Sequence, residues 1–159
     1  MLEFYIPLII FLIASFHDWA FRTIPDGLSG LLAIMACILH LQRGDFLHAA
    51  GIGSLVFTGS LCLWLQGWMG GGDVKLMGAA SFFLPPDQAL PFISLLSLLG
   101  GALAAFYFAL SFIIESPRCC SSHASLAVRI LRVERWRISH RRPLPYAMAI
   151  SGSAILLFI

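Results

Sequence analysis

Long apolar stretches alternate with short polar breaks along this chain, and their spacing is the first thing it discloses. A helix needs about 20 mostly apolar residues to cross the roughly 30 Å hydrocarbon core of a bilayer. Such runs lie at Phe4 to Phe21, which ends in the polar pair His17-Asp18, and at Leu28 to Leu41, Phe46 to Leu65, Leu76 to Leu84, Ala89 to Ile114 and Pro143 to Ile159. The second and fourth fall short of a full crossing, the fourth being stopped by Pro85-Pro86. They are read as extended by flanking polar residues, tilted, or partly re-entrant. The expectation is an all-α, polytopic membrane protein of about six transmembrane helices. Residues 1–159 form a single membrane-embedded domain in this reading, with a basic cytoplasmic loop at 116–142 inside it.

Composition agrees with the pattern. Of 159 residues, 59% are hydrophobic and 11% charged, against about 45–50% and about 25% in a typical soluble domain. That balance excludes a disordered chain, a collagen, a coiled coil and an ordinary cytosolic enzyme. Net charge is only +2, but its placement is uneven. The connections after the first, third and fifth runs hold Arg22, Lys75 and the seven arginines from Arg118 to Arg142, nine basic residues in all, and the opposite side holds only Arg43. Lys and Arg gather on the cytoplasmic side of membrane proteins. Both termini are therefore expected outside. No secretory signal is expected, since no Lys or Arg precedes Arg22.

A carboxylate within a membrane segment costs about 2.5–3.5 kcal/mol on insertion scales and tends to mark function. Glu3, Asp26, Asp45, Asp87, Glu115 and Glu134 have ordinary positions in connections, in a turn after Pro25, at helix ends or among arginines. Asp18, flanked by apolar residues, and Asp73, which follows three glycines and opens the fourth run, do not. The segment count and the charge bias put both at cytoplasmic helix ends, at one depth. Two carboxylates that approach closely share a proton. One can then draw a proton from water while the other polarises a carbonyl, without cofactor or metal. Gly70-Gly71-Gly72 reads as a strand-like or turn segment that lets an extended peptide come close. The competing reading is a plain loop with Asp73 as a helix cap.

Other groups add less. Lys75, the only lysine, steadies the charge of Asp73, pairs with a substrate glutamate, or anchors a helix start. Ser81, six residues on, is off its face, which disfavours a Ser-Lys dyad. Among the five histidines no HxxxH or HExxH pair occurs, and among the four cysteines, Cys37, Cys62, Cys119 and Cys120, no CxxC pair. Metal-site spacing is therefore lacking. Leu126 to Ile138 alternates arginines with apolar residues, a pattern suited to anionic lipid headgroups rather than nucleic acid.

At this point a resemblance enters. Gly70-x-Gly72-Asp73-x-Lys75-Leu76 resembles the GxGD signature of the prepilin peptidases, membrane aspartic proteases that process type IV pilin precursors. Asp18 followed by Arg22 and Ile24-Pro25 is similar to that family's first catalytic-aspartate region, and Leu144 to Ala149 to the start of its last helix. The resemblance implies Asp18 and Asp73 as catalytic aspartates, with Gly70, Gly72, Lys75 and Pro25 supporting the motif. It implies cleavage of prepilin or pseudopilin precursors at the cytoplasmic membrane face, after a glycine and ahead of an apolar helix, without a cofactor. The nearest subgroup is the short single-domain peptidases of tight-adherence pilus systems. Two departures stand out. Asp26 occupies the place where the family often has Asn, which makes it a fallback carboxylate. The paired CxxC region of larger relatives is absent, so peptidase activity is expected without N-methyltransferase activity. Alternatives are a proton- or ion-translocating protein using paired carboxylates, and a lipoprotein signal peptidase.

Overall fold

The computed structural model describes residues 2–113 and 144–158. The basic loop at 116–142, with Cys119, Cys120 and the Leu126 to Ile138 stretch, lies outside the described residues. Six α-helices make up the description: α1 Leu2–Phe21, α2 Asp26–Arg43, α3 Phe46–Leu65, α4 Gly71–Phe83, α5 Ala89–Ile113 and α6 Tyr146–Phe158, with a 3-10 turn at Pro86–Gln88. All the described elements are helical, as the sequence led one to expect. Two of them are long and apolar enough to cross a membrane, Phe46–Leu65 and the helical stretch Pro86–Ile113, while Tyr5–Phe21 and Tyr146–Leu157 are shorter apolar helices.

The ends follow local chemistry. Between α2 and α3, Gly44 takes the left-handed conformation at φ 77° and donates its N–H to the His40 carbonyl at 3.0 Å, a helix stop that glycine makes at little steric cost. Leu84 is extended at ψ 149° because Pro85 bars the helical region to the residue before it, and α4 ends there. The start of α4 differs from the sequence expectation. Only Gly70 is extended, at ψ 143°, and the helix already begins at Gly71, so the glycine run supplies a cap and a first turn rather than a strand. With 13 residues, α4 rises about 20 Å, well short of a bilayer crossing.

Two compact units divide the chain, Met1–Leu99 with Pro145–Ile159, and Gly100–Leu144. In the second, Phe108 and Phe112 meet edge to face at 5.0 Å. In the first, α4 packs against α2, α3 and α6, and α1 against α6. Val74, Leu76, Ala79, Ala80 and Phe83 are all buried along α4, and its core partners include Phe11 of α1, Leu32 of α2, Phe92 of α5 and Ile150 of α6. The outer faces are apolar too, with Leu47 85% and Leu55 73% exposed on α3.

Small residues set how close α3 and α4 come. A Cβ on Gly53 would stand 2.7 Å from the Cβ of Phe82, and one on Gly78 would stand 2.8 Å from a ring carbon of Phe57. At the far end from the α4 start, buried His40 places Nδ1 2.8 Å from an Asp45 carboxylate oxygen and stacks on Phe82, ring centroids 5.9 Å apart. That hydrogen bond, ahead of any other influence, holds the Asp45 carboxyl below the usual range.

Two predictions follow from this packing. Gly53→Ala is expected to destabilise the folded protein by about 1–3 kcal/mol, read by chemical unfolding in detergent, whereas Gly59→Ala on the same helix meets nothing within 4 Å and should be neutral. Because the Asp45 value is depressed in the fold, its stabilising contribution is present above the ordinary carboxylate range and lost as pH falls through the lowered value. Asp45→Asn should therefore lower the melting temperature near neutral pH, and the difference should shrink as pH falls below the ordinary carboxylate range; a constant difference across the titration would contradict this.

Candidate active site

The end of α1 and the starts of α4 and α6 share one neighbourhood. Asp18, in the last turn of α1, is buried at 6% exposure. Its Oδ2 accepts the backbone N–H of Ala147 at 3.2 Å, in the first turn of α6. An anion there complements the positive end of the helix dipole and satisfies an N–H that no helical partner reaches. Buried Pro145 precedes α6, and Ser15, one turn before Asp18, directs its hydroxyl at the Ala147 carbonyl at 3.5 Å.

Asp73 sits in the first turn of α4, three residues after the cap Gly70, and its carboxylate bends back to the Gly70 N–H. This is half of a capping box, with an acid reaching back to the cap's own amide. The first motif glycine is needed because a Cβ on Gly70 would lie 2.9 Å from Asp73 Oδ2. The second, Gly72, makes room for Ile24, whose Cβ would be 3.2 Å from an added methyl. The two segments singled out in the sequence, around Ile24-Pro25 and Gly70 to Asp73, therefore touch. The middle glycine faces Trp64, whose Nε1 would lie 3.3 Å from a Cβ on Gly71.

Asp73 lies outside every apolar stretch named above as a crossing or shorter apolar helix. Its carboxyl is pushed up to about 7, by burial first and by the charge of Asp18 second. The Gly70 amide and the guanidinium of Arg22 pull the other way and are outweighed. Arg22 closes α1 in the left-handed conformation at φ 57°, its N–H bonded to the Asp18 carbonyl at 2.8 Å. A non-glycine residue held there costs on the order of 1–2 kcal/mol, and such strain gathers at functional sites.

Lys75 and Asp26 do something else. Lys75 Nζ reaches Asp26 Oδ1 at 2.7 Å, with the two side chains 50% and 73% exposed. The lysine thus pairs with the fallback carboxylate, tying the start of α2 to the first turns of α4. Pro25 caps α2 in extended conformation. His17 turns its Nδ1 to the Thr23 carbonyl at 2.6 Å. Sequence reasoning did not assign roles to Trp64, Ile24 or the Ala147 amide, and it left Arg22 as a motif match. The i, i+4 spacing of Asp18 and Arg22 was the available signal for the last. The others come from different helices, and local spacing carries no trace of them.

Two carboxylates from different helices, one of them shifted toward neutrality beside the charge of the other, form an arrangement able to give and take a proton. Residues 5–110 match the type IV leader peptidase family, and the chain belongs to that family, which makes it a leader-peptidase-like protease. No curated protein and no solved structure matched the chain.

The coupling is directly measurable. Asp18→Asn removes the like charge and should lower the Asp73 titration midpoint below about 7, read by infrared difference titration of the carboxyl band; an unchanged midpoint would separate the two groups. The folded value of Asp73 lies above its unfolded one, so its contribution is fully present below the ordinary carboxylate range and lost as pH rises through about 7. Asp73→Asn should consequently melt higher than the native protein above about pH 8 and gain little at about pH 4.

Proposed function

We propose that this protein is an aspartic endopeptidase of the bacterial inner membrane that removes the leader from prepilin-like precursors, with Asp18 and Asp73 as its catalytic pair. The observation that carries the reading is the electrostatic contact of the two carboxyls at adjoining helix ends, within a chain of the type IV leader peptidase family.

The chemistry needs only water and the pair. With one carboxyl ionised and one protonated, the carboxylate takes a proton from water as the hydroxyl oxygen bonds to the scissile carbonyl carbon, and the acid donates a hydrogen bond to the carbonyl oxygen. The tetrahedral intermediate then collapses, the C–N bond breaks, and the proton held by the pair passes to the departing amine. A new carboxyl and a new amino terminus result, and the pair again holds one proton. Gly70, 2.9 Å from Asp73 Oδ2 by way of a Cβ it does not have, keeps the approach to that oxygen free of a side chain.

In the proposed orientation both termini lie outside, and the starts of α4 and α6 and the end of α1 lie at the cytoplasmic face. The sorting of nine basic residues against one supports that orientation, and the exposed apolar faces of α3 support a lipid surround. The same reading has the peptidase working as one domain, without methyl transfer to the new amino terminus.

Asp18→Asn and Asp73→Asn should each reduce cleavage by roughly 10²–10⁴-fold while membrane insertion stays intact. The assay is the mass shift of a co-expressed small precursor carrying a basic leader, a glycine and an apolar helix. Asp26→Asn should retain most of the activity. If it alone silences the protein while Asp18→Asn still cleaves, the pair has been misassigned.

A further inference from the structure

A groove of about 740 Å³ lies between α2, α3 and α4, and it does not contain the carboxylate pair. Its walls are three helical stripes. On α2 it runs Asp26, Ser29, Gly30, Ala33; on α4, Lys75, Gly78, Ala79, Phe82. Both have the i, i+3, i+4, i+7 spacing of one helix face. On α3 the lining runs from Phe46 to Thr58, 12 residues apart, which corresponds to about 18 Å. The lining is small or aromatic apart from one ion pair, Lys75 to Asp26, at the end nearest the start of α4. In the α2 wall, Ser29 is buried at 6% exposure and its hydroxyl has no hydrogen-bond partner.

We propose that this groove seats the apolar helix of the precursor that the pair cleaves, a proposal that rests on the leader-peptidase reading above. Small residues let a second helix backbone approach closely, and serine hydroxyls then bond across helices, which is the partner the buried Ser29 hydroxyl lacks. The groove also joins the site. Lys75 stands two residues beyond Asp73, about 3 Å further along the same helix. At about 100° per residue the stripe faces away from Asp73, so the chain between groove and site passes over the start of α4. Crossing a helix end about 10 Å wide takes about three extended residues, and Gly70 offers no side chain to obstruct them. The occupant is thus an uncharged helix of about 12 residues that begins about three residues after the cut. A lipid would present its phosphate to Lys75, but Asp26 already neutralises that cation at 2.7 Å.

Benzophenone crosslinking tests the seat. The photo-reactive residue replaces Ser54 or Ala33 in the groove, or Ser97 on α5 as a control, in the Asp73→Asn background. The probe is a synthetic precursor with a basic leader, a glycine and a 20-residue Leu/Ala helix. Crosslinks should recur every three to four residues along the probe helix and start no earlier than about its third residue, with the Ser97 position giving background only. Such a ladder supports the seat whether or not the native protein cuts this probe; cutting itself judges the peptidase reading. Adducts to lipid alone, or to a second copy of the chain, overturn the proposal. In the native background, Gly30→Phe, which meets nothing within 4 Å at its Cβ, should lower kcat/KM about tenfold or more for the full probe. A junction peptide lacking the helix should be cleaved as before. Equal losses on both substrates also overturn the seat.

Discussion

Burying Asp73 beside Asp18 is the constraint around which the rest of the molecule is arranged. A carboxylate removed from water loses several kcal/mol of hydration, and a second one nearby adds repulsion. The fold offers only partial compensation. Each acid lies at a helix N-terminus, Asp73 at its own and Asp18 at that of α6, and each accepts a backbone N–H there. Arg22 contributes a positive charge from a strained backbone position. These effects are outweighed at Asp73 by burial and by its neighbour, and the shortfall is what keeps a proton available near neutral pH. A fully compensated Asp73 would be more stable and would stay ionised near neutral pH.

The compensation works only if three helix ends converge, and that requirement explains the character of α4. A helix packed on α2, α3 and α6 at once has little room for side chains. Gly78, Ala79, Ala80 and Ser81 fill its middle, and all four are buried. Its closeness to α3 is set where Gly53 meets Phe82 and Phe57 meets Gly78. At the far end His40, Asp45 and Phe82 fasten the α2–α3 connection to α4. A helix only 13 residues long would have little stability alone. Here tertiary contact holds it, and its first turn is thereby fixed against α1 and α6.

Much of this was legible in the chain. The six apolar runs fall on the six described helices, with α3 matching its run at both ends, but only two helical stretches are long and apolar enough to cross a membrane where about six crossings were expected. The two acids without an ordinary explanation are the two that feel each other's charge. What failed was local. The glycine run reads as strand or turn because glycine admits backbone conformations closed to other residues, yet only Gly70 is extended and the helix begins at Gly71. Lys75 looked like a companion for Asp73 on proximity in sequence, but two residues apart on a helix point to opposite sides, and it pairs with Asp26 instead. Ile24 against Gly72 and the Ala147 amide on Asp18 depend on contacts across 48 and 129 positions, which no spacing rule detects.

The opposite orientation of positions 73 and 75 also bears on how recognition and chemistry are divided. One face of α4 carries Asp73, which feels the charge of Asp18; the other floors the groove between α2 and α3. A precursor bound in the groove could not present a helical bond to Asp73, because the helix would continue past the start of α4 on the wrong side. It has to unwind first. Backbone amides in a helix are protected by their own hydrogen bonds and packed side chains, so an extended stretch is also what hydrolysis requires. With the proposed seat and the proposed acid on opposite faces of one short helix, binding in the groove would demand local unfolding at the bond to be cut.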